Sequence, residues 1–570
     1  MRWGFSLLLL AGVSIPSVAQ ESDLRVALDL ERRGNYTSAA QAYLLVLQAR
    51  PNHVNALLGL ERAYGQLARP EAMTVPATAA LAVATHDPVV YGVAVRAWTA
   101  AARPDSVSVL VDRWAAIEPE SEAPYREWGF AALTIRDREE AKRAYRRGRE
   151  RIGPPALAAE LAQLATLEAD YLTAAGEWVL AMAEVPGYRS SAIGVLSQAP
   201  PDRQPAILAQ LSRSDQPVAH QLAAALAVRW GDPGRGHELL ARGLPDGPDG
   251  AAALHDFLDE LRLGGGVRIA GARGRTLERL AGYQGEDRSR WLSEAARAFA
   301  EAGDQASARR VLATLASDPS ASTTLAGAAA VTLVGVLIAE GDLAQAADRL
   351  AQLGPPVDLE ERERLGHALA MASLRAGDLD RADALLVEDS SMTGAGIRGR
   401  LRLARGDLRG ATADLAGAGP FGDDRDDATE RASLLAITQM IDEDSVAGLG
   451  MGYLALLQGD SAAAAGHLAR AARSLPKERG GGELLVWAGR LTMTADAREA
   501  EQLFREAEAG SSPAASAAAG LERASLLMRR GARAEAVQLL EGVILAYPGS
   551  TVAPQARRLL AQARGGIPAP

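Results

Sequence analysis

The phrase Gly-Asp-x-x-x-Ala recurs along this chain at nearly constant spacing, and no other feature of the sequence restricts the fold as strongly. It begins at Gly303, Gly341 and Gly377, at intervals of 38 and 36 residues, and again at Gly406 and Gly459. A fixed period of this length is typical of stacked supersecondary units that each contact only their neighbours. The sequence therefore predicts a repeat array.

Each repeat has the features of a helix-turn-helix unit. The glycine can adopt the left-handed conformation that ends one helix, the aspartate can cap the next helix, and the alanine allows close helix approach. Arg136 and Ala169 occupy the glycine position in degenerate copies. A large apolar residue follows on the same face of the second helix, at Tyr43, Tyr145, Trp178, Leu240, Leu312, Leu350, Leu386, Leu415, Leu468, Phe504 and Leu540.

Two units carry a fuller pattern of small, aromatic and proline positions. These residues are Gly34, Tyr36, Ala39, Tyr43 and Pro51 in the first unit, and Tyr125, Trp128, Gly129, Ala132, Ala141, Tyr145 and Gly148 in a middle unit. The pattern resembles the tetratricopeptide repeat (TPR) family, from about Gln20 to Ala563. That resemblance implies an all-α, right-handed helix-turn-helix solenoid of about a dozen repeats in two lobes.

Composition agrees with a helical, protein-binding chain. Apolar residues make up 48% of the sequence but aromatic residues only 4%, so alanine, leucine and valine dominate, and this mixture favours helices over sheets. The net charge of -10 argues against binding to nucleic acid. The absence of cysteine excludes disulfides, thiolate metal sites and a cysteine nucleophile.

The N-terminus is typical of an export signal. Arg2 is followed by an apolar run from Phe5 to Ile15. Ser17 and Ala19 then place small residues at the two positions that signal peptidase recognises. We expect residues 1–19 to be a signal peptide cleaved after Ala19, which makes the protein periplasmic or secreted. An uncleaved anchor is the alternative, although the apolar run is short for a membrane-spanning helix.

The remaining chain divides by its regularity. We predict an N-terminal TPR array at 20–244, an irregular glycine-rich hinge at 245–285, a C-terminal TPR array at 286–563 and a disordered tail at 564–570. The acidic insertion from Gly417 to Asp427 is interpreted as a solvated loop.

One internal segment is free of charge from Pro319 to Ala339. Its length would allow it to cross a membrane. Its end also fits the first helix of a repeat, and we favour that interpretation. We expect the protein to be peripheral to a membrane at most.

No motif in the sequence points to catalysis. The seven histidines have no metal-ligand spacing, and no phosphate-binding loop is present. We therefore predict a protein that is not an enzyme and holds no cofactor or metal. The alternative of an enzyme with a site hidden in 245–285 is weak, because so short a segment cannot build a catalytic domain.

The TPR resemblance implies a groove lined by the first helix of each repeat. Matching positions by phase gives a candidate protein-binding set of Arg290, Arg297, Arg364, His367, Arg375, Arg400 and Tyr453. Arginines along one surface suit the carboxylates of an extended, acidic peptide. An ordinary solvated surface would show the same residues.

The last repeat suggests a cellular setting. The segment from Leu545 to Arg557 is similar to terminal repeats of TPR proteins of the bacterial cell envelope. We therefore expect an envelope scaffold that assembles other proteins. The alternative is a structural spacer that has no specific ligand.

Overall fold

The computed structural model describes residues 17–283, 287–318, 321–419, 425–441 and 443–565. The chain separates into two compact units, one ending at Thr276 and the other beginning at Leu277. In the described residues the regular structure is helical, and the only bridge between extended residues joins Asp407 and Ser445. The all-α prediction is confirmed.

The first unit consists of helices that run in antiparallel succession. They are α1 (Ser17–Arg32), α2 (Tyr36–Ala49), α3 (Val54–Gln66), α4 (Thr74–Val83), α5 (Pro88–Ala100), α6 (Pro104–Ile117), α7 (Ala123–Thr134), α8 (Arg138–Ile152), α9 (Ala158–Leu167), α10 (Tyr171–Glu184), α11 (Arg189–Leu196), α12 (Gln204–Leu211), α13 (Pro217–Arg229), α14 (Pro233–Arg242), α15 (Pro248–Arg262) and α16 (Val267–Ala281), whose last residues belong to the second unit.

The second unit repeats the same arrangement. Its helices are α17 (Arg288–Glu301), α18 (Gln305–Ala316), α19 (Thr323–Glu340), α20 (Leu343–Ala351), α21 (Leu359–Ala376), α22 (Leu379–Ala384), α23 (Met392–Arg405), α24 (Leu408–Gly417), α25 (Arg425–Met440), α26 (Ala447–Leu457), α27 (Ser461–Ser474), α28 (Gly482–Thr492), α29 (Ala497–Glu508), α30 (Pro513–Arg529), α31 (Arg533–Ala546) and α32 (Ala553–Ala563).

The turn inside each repeat has the predicted geometry. Gly341 has a φ of +80°, and Asp342 behind it accepts a hydrogen bond from the N–H of Gln345 at 3.2 Å. Arg136 and Ala169, at the same position in degenerate copies, also have positive φ values, of 64° and 58°. The turn therefore imposes its conformation even where no glycine is present, at a local cost in strain.

Small residues in the first helix of a repeat face large residues in the second. A Cβ on Gly129 would lie 2.0 Å from the ring of Tyr145, and one on Gly399 would lie 2.7 Å from Cγ of Leu415. Ala141 is fully buried between such helices. These contacts close each pair of helices and build a series of apolar clusters along each unit.

The predicted hinge at 245–285 is not irregular where it is described. Most of the segment is helical, since it contains α15 and α16. One face of α16 is buried, through Ala272, Leu277 and Leu280. Burial of this apolar face outweighs the cost of glycines inside a helix, which is about 1 kcal/mol each. The division between the two units falls within α16.

The predicted loop from Gly417 to Asp427 also needs correction. Residues 420–424 lie outside the described residues, but Arg425 to Asp427 form the first turn of α25, an additional helix between two repeats. Residues 1–16 of the predicted signal peptide and 566–570 of the predicted tail lie outside the described residues as well.

Candidate functional site

The first helices of three successive repeats, α17, α19 and α21, line a groove in the second unit. Its volume is about 970 Å³, within the range of pockets that bind ligands. We call it the α19 groove, because α19 forms its floor through Thr324, Gly327, Ala328, Val331, Thr332, Gly335, Ile338 and Ala339.

The floor helix carries no charge before Glu340 and is poorly covered by the rest of the protein. In α19 only Val334, Val336 and Leu337 are buried, which is 17% of the helix. A helix this apolar is ordinarily buried on most of its surface. The groove therefore leaves an apolar face accessible.

By length and composition, one of the described helices, α19, is long and apolar enough to cross a membrane. In the structure, however, α19 occupies the first-helix position of a repeat and packs against α17, α18, α20 and α21. It thus takes the place in the array that the sequence predicted for a repeat helix.

Charged residues are confined to the walls of the groove. On α17 these are Glu294, Arg297 and Glu301, and across the floor on the α21 side they are Asp358, Glu361 and Arg364. The lining thus carries four acidic and two basic side chains, a formal charge of -2. Both arginines already donate to a glutamate of their own helix.

These pairs are short. Arg297 Nε lies 3.1 Å from Glu301 Oε1, and Arg364 Nη2 lies 2.7 Å from Glu361 Oε1. The hydrogen bond from Arg364 lowers the pKa of Glu361 below its usual range, so this carboxyl group is ionised at neutral pH. The lining does not favour the acidic peptide expected from the sequence.

The predicted site residues do not form one surface. Arg297 and Arg364 line the α19 groove, whereas Arg290 and Arg375 are exposed outside its lining. Arg290 pairs with Glu294 at 3.0 Å and lies over the ring of Trp291. Arg375 makes no hydrogen bond or ion pair with the described residues.

His367 has a structural setting. Its Nε2 lies 2.5 Å from Asp389 Oδ2 and 3.4 Å from Ser391 Oγ, in the turn before α23. Ser391 in turn caps α23 by accepting from the N–H of Gly394. The histidine therefore anchors a helix start and is not part of the groove lining.

Arg400 and Tyr453 were predicted to face a groove, and that prediction is wrong. Arg400 is 2% exposed and donates to Asp427 at 2.6 Å and to Glu430 at 3.1 Å, both on the inserted helix α25. Burial alone would lower the pKa of Arg400, but the neighbouring acidic groups raise it. Tyr453 is fully buried, and burial raises its pKa well above the ordinary value.

The corresponding face of the first unit is built differently. Arg62 on α3 bonds to Glu31 on α1 at 2.7 Å, and Arg96 on α5 bonds to Glu61 on α3 at 2.6 Å. Arg96 also bonds to Glu127 on α7 at 2.5 Å. We call these pairs between first helices the arginine ladder.

The ladder continues to α9, and its bonds shift the pKa values of Arg96 and Glu31 toward their charged forms. Arg126 on α7 lies 2.5 Å from Glu160 on α9. Burial would lower the pKa of Arg96, yet its bonds to the two glutamates raise it above its ordinary value. The hydrogen bond from Arg62 lowers the pKa of Glu31. Neighbouring repeats are therefore joined across this face by ion pairs.

The antiparallel pairs, left-handed turns, aspartate caps and small-to-large packing together define the architecture. This chain has a TPR-type fold. No family model matches the sequence, and no curated protein matches it. The fold therefore follows from the repeat geometry and from the sequence pattern that predicts it.

Solved structures give distant likenesses to this TPR-type chain. PilF of Pseudomonas aeruginosa is 16% identical, with a TM-score of 0.22, over 42% of this chain and 97% of that one. A tetratricopeptide repeat protein from Parabacteroides merdae is 12% identical, with a TM-score of 0.22, over 52% of this chain and 99% of that one. Cut9-Hcn1 is 12% identical, with a TM-score of 0.21, over 96% of this chain and 97% of that one. Such low values carry no functional argument.

Sequence reasoning did not identify the α19 floor as a site. The signal in the sequence is the absence of charge from Pro319 to Ala339, which by itself indicates either a membrane span or a repeat helix. In the part of the chain that the structure describes, no group of three or more His, Cys, Asp or Glu side chains could hold a metal ion.

Proposed function

We propose that this protein is an exported scaffold of the bacterial cell envelope that binds partner proteins through the α19 groove. The observation that carries the proposal is the uncharged, half-buried face of α19 between charged walls. Exposed apolar surface rimmed by polar residues is typical of interaction sites. Repeat arrays commonly present such extended surfaces.

Export to the envelope is supported by the sequence of residues 1–19. The positive Arg2, the apolar run and the small residues before Gln20 match what signal peptidase requires. Expression in a bacterium followed by fractionation and N-terminal sequencing tests this part. The proposal expects a periplasmic or membrane-associated product that begins at Gln20, and a cytosolic product that retains Met1 would contradict it.

Binding through the groove is tested with a variant in which a larger side chain fills the groove. The backbone of Gly335 faces open space, since no heavy atom lies within 4 Å of the position a Cβ would take. Gly335→Leu should therefore fill the groove without a clash inside the protein. Gly542→Leu, on α31, is the matched control because its Cβ position is equally open but outside the groove.

The assay is retention of envelope proteins on the immobilised chain. We expect a defined protein to be retained saturably by the wild type and by Gly542→Leu, and to be lost with Gly335→Leu. Equal retention by all three chains would contradict a binding role for the groove. Circular dichroism of each variant verifies that the helical fold is intact.

A further inference from the structure

We infer that the α19 groove receives an amphipathic α-helix whose outer face is basic, a partner class opposite in charge to the acidic peptide that the arginines suggested. The inference rests on the proposed function and specifies the chemistry of the occupant. It depends on three observations, which are the apolar floor, the charge of the walls and the open space above Gly335.

The apolar floor favours an occupant whose backbone N–H and C=O groups are hydrogen-bonded to each other. Among the floor residues the polar side chains are Thr324 and Thr332, and Thr332 already donates to the carbonyl oxygen of Ala328 at 3.0 Å. An extended peptide would therefore place its N–H and C=O groups against methyl groups, at a cost of about 1–3 kcal/mol for each unpaired group. A helix pairs these groups internally.

The walls select the charge of the occupant's outer face. Four acidic side chains and two arginines line the groove, and each arginine already pairs with a glutamate on its own helix. Glu294 also pairs, with Arg290 just outside the lining, which leaves Asp358 as the wall carboxylate without an arginine pair among the described residues. Lysine or arginine side chains on an incoming helix would meet this carboxylate. Acidic side chains would be repelled, or would have to displace the pairs already formed.

The dimensions of the floor fit a helix of about four turns. The distance along α19 from Thr324 to Ala339 is about 22 Å at the rise of an α-helix. Gly335 has no Cβ and faces open space, so the partner's backbone can approach closely there. Gly327 differs, since Pro356 and Val357 already cover it at 3.3 and 3.4 Å.

A lipid surface is the other apolar environment that an uncharged helix could meet. The lining carries no net positive charge that would attract the anionic lipids of a bacterial membrane. The floor also lies between two neighbouring helices, which restricts contact with a flat bilayer. We therefore assign the groove to a protein helix.

The test uses the full mature chain and a designed peptide. The probe is a fluorescent helical peptide of about 15 residues, with leucine and alanine on one face and lysine on the other. Its controls are the same peptide with every lysine replaced by glutamate, and one with a central proline that breaks the helix. Binding is measured by fluorescence anisotropy to the wild type, Gly335→Leu and Gly542→Leu.

We expect saturable binding of the lysine peptide to the wild type and to Gly542→Leu, and binding at least about tenfold weaker to Gly335→Leu, a difference of about 1.4 kcal/mol. The glutamate and proline peptides should bind at least tenfold more weakly than the lysine peptide. No saturable binding of the lysine peptide, equal binding of the glutamate or proline peptide, or no effect of Gly335→Leu would each overturn the inference.

Two further results separate this inference from the proposed function. If Gly335→Leu abolishes retention of an envelope protein while the lysine peptide does not bind, the occupant class is wrong and the function stands. If the chain instead sediments with vesicles of phosphatidylcholine and phosphatidylglycerol, and the peptide does not bind, α19 is a lipid-facing helix and the inference is overturned.

Discussion

The first helices of the repeats present two different surfaces in the two units. In the first unit, α1 to α9 are joined by the arginine ladder, in which Arg62, Arg96 and Arg126 each reach a glutamate on a neighbouring first helix. In the α19 groove, Arg297 and Arg364 pair within their own helices, and the helix between them is uncharged.

The difference shows that one repeat geometry can serve two purposes. Ion pairs between neighbouring helices satisfy the charges of the ladder and restrict movement between repeats. An uncharged helix such as α19 cannot form ion pairs with the helices on either side. Its apolar surface therefore stays partly accessible. We therefore expect the ladder to stabilise its unit and the groove to bind.

The largest effect should come from an arginine that was expected in a groove and is instead buried. Arg400→Ala removes the arginine that pairs with Glu430 and one of the two that pair with Asp427, the other being Arg431, and it leaves a cavity. The second unit should therefore lose about 2–3 kcal/mol of stability. Both acidic groups are partly exposed, which keeps the loss below that of a fully buried pair. Chemical denaturation measures it.

Arg375→Ala is the matched control, because Arg375 is exposed and lies on a first helix of the same unit. Its stability should stay within about 0.5 kcal/mol of the wild type. Similar losses for the two variants would contradict the assignment of Arg400 to the core.

The ladder should contribute more to stability than the pairs of the groove. Arg96→Met keeps much of the apolar stem but breaks the bonds to Glu61 and Glu127, and we expect a loss of about 1–2 kcal/mol. Arg297→Met, which breaks one exposed pair within a helix, should change stability by at most about 0.5 kcal/mol. Thermal unfolding at low and high salt compares them, and an equal loss would remove the distinction between the two surfaces.

Acidification should weaken the ladder. The pKa of Glu31 is lowered by its bond from Arg62, so its ionised form stabilises the folded state above the ordinary pKa of 4.5. That contribution is lost as the pH falls through the lowered pKa. Glu31→Gln should therefore lose about 0.5–1 kcal/mol at pH 7 and converge with the wild type once the pH is below the lowered pKa of Glu31. A constant difference at all pH values would contradict this role.

At the groove glycine we expect a small gain of stability and no loss. Because Gly335 lies in a helix and its side-chain position is open, Gly335→Leu should raise stability by about 0.5–1 kcal/mol through helix propensity. Gly542→Leu should give a similar gain, since its environment is also open. A loss of stability at Gly335 alone would show that the groove is closed in solution.

The sequence was sufficient to predict the local structure of the repeats. The left-handed turn and aspartate cap depend on residues that are adjacent in the chain, as Gly341 and Asp342 show, so their pattern can be read directly. The same logic correctly placed Ala141 in the core. Local chemistry determines these features.

The surface of the array was harder to predict. Phase alone placed Arg400 and Tyr453 in a groove, but an inserted helix, α25, supplies the acidic groups that surround Arg400. Such contacts join residues that are distant in the chain. The groove exists because α17 and α21 leave part of the α19 surface uncovered. The repeat pattern of the sequence does not show which part of a helix surface its neighbours leave uncovered.

The accessibility of the α19 floor is the central claim, and single-cysteine labelling tests it directly because the natural chain contains no cysteine. Val331→Cys, in the groove lining, should react rapidly with a maleimide, whereas Val334→Cys, at a fully buried position one turn along, should react slowly. The lysine peptide should slow the reaction at Val331 alone. Equal rates at the two positions, or slow labelling at Val331 without peptide, would contradict an open groove.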